Sequence, residues 1–223
     1  MKVPFWRQAA AIAGKDLRTE FRSGEVVMIT VPFGAAALML VPLAVGTDAR
    51  LLADIGPGMY WSVVLLFGVL VTVRQSAVDG PAQADLLGLL GIDPAARFVG
   101  RVMATGVLLL IFESILAPVA LALYDTDPSG WWWLLAVIPL VALGLALLGT
   151  LAAGIASSVA SATLIPLIVV PLSVPMLLAA TQVTEGLQID ATIVGWLLLL
   201  VVMDLLLAVA GVLSARTLQE TTR

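Results

Sequence analysis

Polar residues interrupt this chain rarely and in clusters, and the apolar runs between them are long. Six runs, near 26–45, 57–74, 98–123, 131–155, 160–181 and 192–215, are each long enough to cross about 30 Å of hydrocarbon as a helix. None alternates apolar and polar residues with period two, so the pattern predicts helical spans and not the strands of an outer-membrane barrel. The least marked boundary lies between the fourth and fifth runs, where only small residues around Ser157, Ser158 and Ser161 intervene. The pattern predicts an all-α integral membrane protein, a single transmembrane domain over 1–223.

Two polar-containing stretches frame the first spans. Residues 1–24 interleave Lys2, Arg7, Lys15, Arg18 and Arg22 with Phe5, Trp6, Ile12, Leu17 and Phe21. That mixture predicts an amphipathic helix in the interface, apolar groups sunk into lipid and cations near phosphates. Ser23 is expected to cap the start of the next helix, with Glu25 placed near its N-terminus. The second stretch, Arg74 to Arg101, is the longest interruption between two spans, and 75–96 is expected to be a cytoplasmic loop. Within it, Gly80-Pro81 reads as a helix start with Gln83 near the third position. Ala82, Leu86, Leu89 and Leu90 then fall on one face, while Gln83 and Asp85 point elsewhere. Asp93-Pro94 restarts a helix in the same way, leading through Arg97 and Arg101 into the third span. A short helix between two caps is either a handle for a partner protein or an element resting on lipid, and the pattern alone leaves both open.

Composition agrees with the spans. With 61% hydrophobic and 12% charged residues and a mean hydropathy of +1.10, the chain lacks the charged surface of a soluble domain. It has no cysteine and no histidine, which excludes disulfides, Cys/His zinc sites, thiol redox chemistry and His-ligated haem. No phosphate-binding loop of either common glycine-rich type occurs, so a nucleotide would have to be bound by another chain. Nothing in the pattern suggests nucleic acid as a partner. The first apolar run starts late and is too long for a signal peptide, so no cleaved leader is expected.

Charge distribution gives an orientation. With the N-terminus inside, Arg50 alone among the Lys and Arg residues falls in an outer loop, whereas Asp48, Asp54, Asp125, Asp127, Glu185 and Asp190 all do. Both termini are therefore expected in the cytoplasm. Trp131, Trp132 and Trp133 fit an outer interfacial anchor.

Two acids lie deep in spans. Glu113 and Asp204 are each twelve residues from a cytoplasmic-side arginine, Arg101 and Arg216, which puts both about 18 Å above that boundary. Intramembrane carboxylates are costly unless they face the bundle or water. Their matched depth suggests a shared polar region, at a subunit interface for instance; the alternative is that each is bonded locally and serves packing. Pro166, Pro171 and Pro175 crowd the fifth span, and Pro171 and Pro175 are the candidate kink or gating positions. Region 171–190 is expected to break into short helices near the outer surface.

Several stretches together resemble one family: KDLRTEFRSGE (15–25), IGPGMYW (55–61), the loop start Arg74…Asp79-Gly80, and VVPLSVPMLLAA (169–180). Their order and spacing are similar to the CcmB family, membrane subunits of the haem-exporter-type ABC transporter of bacterial cytochrome c maturation. The resemblance covers almost the whole chain. It implies an ABC-2 type exporter fold in the cytoplasmic (inner) membrane, with an N-terminal interfacial helix, six spans and a coupling helix after the second. It implies two copies paired with two copies of an ATP-binding subunit, CcmA, alongside the membrane proteins CcmC and CcmD and, indirectly, the haem chaperone CcmE. On that pattern Asp79, Gly80, Gln83, Asp85, Leu86 and Arg97 would couple to the ATPase. The chain itself would be non-catalytic and hold no cofactor: haem would be cargo and ATP would sit on the partner.

Two positions depart from the family pattern. Gln83 stands where an acid is frequent in the early coupling helix, with Asp85 as its stand-in, and uncharged ASSVASA stands where the family often has basic residues. No haem ligand stands out, Met59 and Met176 being weak candidates. An ABC-2 type exporter of a lipid, drug or polysaccharide remains the alternative reading. An intramembrane enzyme is disfavoured by the missing His and Cys and by two acids without a recognisable spacing.

Overall fold

A computed structural model describes residues 3–24, 26–46, 48–78, 91–124, 133–158, 161–188 and 192–220. These form seven α-helices: α1 (Phe5–Ser23), α2 (Val31–Val45), α3 (Ala49–Val78), α4 (Pro94–Leu123), α5 (Leu134–Ser158), α6 (Leu164–Gln188) and α7 (Val194–Glu220). Six of them, α2 to α7, contain segments long and apolar enough to cross a membrane. Their ends follow the sequence pattern closely, including the α5–α6 boundary at the small-residue patch. The second span differs: it starts at Ala49, not near 57, so Arg50 and Asp54 lie on the helix and not in a loop. Asp48 makes this extension possible, because its carboxylate accepts the Leu51 N–H (3.2 Å) and covers an N-terminal donor of α3.

α3 and α5 are the most buried spans, while α2 and α7 expose most of their surface. The core between them is built on Trp61, Leu109, Phe112, Leu116, Leu145 and Met176. α1 packs chiefly along the first half of α4. It is not confined to lipid contact: Ala9, Ile12, Ala13, Asp16 and Glu20 are buried on one face, at helical spacing, whereas Trp6 and Phe21 are exposed.

Two local expectations are corrected. Ser23 does not cap the helix that follows. It ends α1, its hydroxyl donating to the Glu20 carbonyl (3.0 Å), and left-handed Gly24 donates its N–H to the same oxygen (2.7 Å). Beyond it the chain enters a π-helical turn, Val26–Thr30, and Thr30 is already helical at the start of α2. Thr30, the residue before α2, makes no side-chain cap bond. The break expected over 171–190 is also absent: α6 runs continuously through Pro171 and Pro175 to Gln188. A proline removes one donor each time, and a spanning helix retains its other hydrogen bonds because lipid offers no replacements.

Where a proline does free a carbonyl in the core, another helix answers it. Pro42 has no N–H to give to Leu38, and the Tyr124 hydroxyl at the end of α4 donates to the Leu38 carbonyl at 2.9 Å. Both residues are fully buried. Two further side-chain bonds tie the helices together: Tyr60 on α3 donates to the Glu113 carbonyl of α4 (2.9 Å), and Trp61 Nε1 donates to the Thr184 hydroxyl of α6 (3.0 Å).

Candidate functional site at two depths

The expected loop over 75–96 is narrower than its sequence limits, because α3 continues to Val78 and α4 begins at Pro94. Asp79, Gly80, Gln83, Asp85 and Leu86 lie outside the described residues. Arg97 is described, half-buried in the first turn of α4 with its N–H on the Asp93 carbonyl (3.0 Å). The helix restart at Asp93-Pro94 is as expected: Asp93 is extended and its side chain accepts from the Ala95 N–H at 2.9 Å.

Around this end of the bundle lies a polar cluster that sequence reasoning missed. Asp16 and Glu20 are only 7% and 8% exposed. Asp16 pairs with Lys15 (3.0 Å), and Gln75 Nε2 of α3 reaches a Glu20 carboxylate oxygen at 3.4 Å. A cavity of about 20 Å³ opens between α1, α3, α4 and α5, lined by Asp16, Thr72, Gln75, Arg101, Thr105 and Thr150. That is room for a water molecule or two. The signal was present in the sequence. Asp16 and Glu20 sit seven and eleven residues after Ala9, on the face of small residues and away from Trp6 and Phe21.

At mid-membrane the two acids are enclosed. Glu113 has no exposed surface and Asp204 has 5%, and all four carboxylate oxygens lack a hydrogen-bond partner. Asp204 lies against Gly144 of α5 beside Met176 of α6, so closely that a β-carbon at Gly144 would strike both side chains. Gly106 of α4 faces Ala146 of α5, and Glu113, seven residues further along α4, lies on the same side of its helix. Positions 144 and 146 are about 200° apart around α5. Asp204 closes on α5 and α6, whereas the backbone carbonyl of Glu113 takes the Tyr60 hydroxyl of α3. Pro175 directly precedes Met176 on α6, and Pro171 stands five residues before it. Among the described residues no three acidic, His or Cys side chains converge as a metal site.

This arrangement, a surface helix docked on a six-span bundle with isolated acids inside, carries no recognisable reaction centre. The sequence profile of one family, described as CcmB protein, matches residues 7–219. The chain belongs to the CcmB family. Relatives named heme exporter protein B agree along the length. That of Escherichia coli (strain K12) is 31% identical over 206 residues, covering 88% of each chain. That of Haemophilus influenzae is 28% identical over 197 residues, covering 85% of this chain and 86% of the relative. The Rhodobacter capsulatus protein is 28% identical over 186 residues, 81% and 85% of the two chains. As a CcmB family member the chain is a multi-pass, all-α membrane protein, and the family match begins inside α1 and ends inside α7, so it includes the polar cluster and both acids.

Proposed function

We propose that this chain is the permease subunit of an ABC transporter serving cytochrome c maturation, coupling ATP hydrolysis on a partner chain to haem export or to release of a haem-loaded chaperone. The observation that carries the reading is the family match over 7–219, with relatives whose printed name is heme exporter protein B. The absence of a phosphate-binding loop in the sequence supports placing ATP on a separate subunit, the counterpart of CcmA. Its docking site is the connection after α3, with Asp79, Gly80, Gln83, Asp85, Leu86 and Arg97 as contact residues. The excess of Lys and Arg at that end of the bundle supports a cytoplasmic placement for it and for both termini, in the bacterial inner membrane. Two copies would work together, with CcmC and CcmD beside them and the chaperone CcmE outside.

In this mechanism closure of the ATPase dimer displaces the 79–92 connection and the spans repack between two arrangements. Glu113 and Asp204 supply polar groups whose cost is relieved in the second arrangement, and Pro171 and Pro175 leave α6 with fewer internal hydrogen bonds to resist bending. A tagged copy purified in mild detergent is expected to bring down an ATP-binding subunit and to show haem absorbance in the assembled complex. Recovery of no ATP-binding subunit sinks the transporter reading; recovery of one without haem or a haem chaperone turns it toward another cargo. Placing positive charge at both positions, Gln83→Lys with Asp85→Lys, is expected to abolish ATPase assembly, and intact assembly refutes the docking site.

A further inference from the structure

We infer that Asp204 is a proton-binding site built by α5, α6 and α7, and that a proton is taken up and released there as the spans rearrange. Three elements make the site. On α5, Gly144 leaves out the side chain that would fill it: a β-carbon there would lie 2.5 Å from Asp204 Oδ1 and would strike Met176 Sδ as well. On α6, Met176 brings a thioether, which accepts hydrogen bonds weakly and donates none. On α7, Asp204 turns its carboxyl group into this notch, with 5% of the residue exposed and no hydrogen-bond partner on either oxygen.

The elements packed around the notch bring no cation to offset an ionised carboxylate. α7 packs chiefly against α4, α5 and α6. α5 has no acid, base or tyrosine along Leu134–Ser158, and α6 has only Glu185, nine residues past Met176. α4 carries Arg97, Arg101 and Glu113. Its two arginines lie beside Phe98, whose ring meets Gly211, seven residues and about 10 Å along α7 from Asp204. α7 itself has no other ionisable residue over Val194–Ala215. A hard metal cation needs six or more oxygen ligands, roughly, and among the described residues no further acid converges here. A proton needs a single oxygen, and it removes the charge that burial penalises. The walls of the notch can also part. The outer surface of α7, with Leu205 and Leu206, has no protein over it, and Pro175 has no N–H to give the Pro171 carbonyl of α6. When α7 moves off α5, water reaches the carboxyl group, its O–H bond breaks and the proton passes to a water molecule. The carboxylate stays charged until a proton returns and α7 closes again.

The site stands on this geometry alone; the cycle of uptake and release rests on the proposed transport function, and the two are tested separately. Infrared spectra of the full chain in lipid vesicles read protonated carboxyl groups directly. At neutral pH, carbon-13 labelling of the aspartate carboxyls in the unsubstituted chain is expected to shift a protonated-carboxyl band. Asp204→Asn is expected to remove that shifted band, whereas Glu113→Gln is expected to leave it in place. Should Asp204→Asn not give folded protein, the isotope shift in the unsubstituted chain decides without it. A spectrum with no isotope-shifted band, or a band that survives Asp204→Asn, overturns the site whether or not an ATP-binding subunit is found. For the cycle, the complex with its ATP-binding subunit is placed in vesicles with a pH-sensitive dye. Proton release and uptake are expected in step with ATP-driven cycling, and Asp204→Asn is expected to lose the signal while hydrolysis continues. A proton signal unchanged in Asp204→Asn overturns the cycle. Failure to recover any ATP-binding subunit overturns the cycle together with the proposed function, and the infrared band still decides the site.

Discussion

Acids occur at two depths in this molecule and are treated in opposite ways. At the α1 end of the bundle Asp16 and Glu20 are almost fully buried but sit among donors: Lys15, Gln75 and the polar walls of a water-sized cavity. At mid-membrane Glu113 and Asp204 are buried at least as deeply and have no hydrogen-bond partner on any carboxylate oxygen. An ionisable acid at the membrane centre costs about 2.5–3.5 kcal/mol on insertion scales and recovers that only through partners or water. The acids of α1 therefore hold a joint together, whereas the deeper pair burden this arrangement of the bundle. Where a burden of that size has no structural return, a second arrangement in which it is relieved is the economical physical explanation.

The sharpest way to break the comparison is at Gly144, the residue that lets Asp204 and Met176 close on α5. Gly144→Val should be strongly destabilising, by about 3 kcal/mol from overpacking, seen as loss of the monodisperse peak and of thermal stability in detergent. Removing the deep acids should separate stability from function. Glu113→Gln and Asp204→Asn are expected to leave abundance and melting temperature unchanged or raised, since no hydrogen bond is lost, while lowering transport. A marked fall in stability would mean that these acids have structural partners after all, and full transport in both would end their functional reading.

A third variant probes the polar links that, unlike those acids, do have partners. Tyr124→Phe leaves the Leu38 carbonyl without a donor in a dry site and should cost about 1–3 kcal/mol in thermal unfolding. The corresponding exposed cap is the mildest case. Asp93→Ala should cost about 1 kcal/mol through loss of the bond to Ala95, and should also loosen the start of α4 in amide exchange. If the Asp93 variant proves worse than the Tyr124 variant, the joint at α1 and not the core carries the greater strain.

Much of the architecture was open to reading from residues alone, for a definite reason. A membrane demands long, uninterrupted apolar segments, so the six spans and their ends are written into local composition, as is the helix restart at Asp93-Pro94. The errors came where a local rule met a neighbour it could not see. Ser23 has the right chemistry for an N-cap, but it falls in the last turn of α1, where its hydroxyl turns back to the Glu20 carbonyl. Pro171 and Pro175 are helix breakers in water, yet in a spanning segment α6 keeps its remaining hydrogen bonds. The residues of the expected coupling segment, Asp79 to Leu86, lie outside the described residues, and their role rests on the family pattern.

By itself, then, the sequence determined that this chain has six membrane-length apolar spans and, through its ordered motifs, its kinship with the CcmB family. Those properties depend on composition and on short-range order along the chain. Only the tertiary structure decided that Asp204 closes on Gly144 of α5 beside Met176, that Tyr124 answers the carbonyl freed by Pro42, and that Gln8 and Glu20 reach Asp93 and Gln75. Each of those depends on which helix faces which across distances of many tens of residues, and helical periodicity gives the face of a residue but not the neighbour it meets.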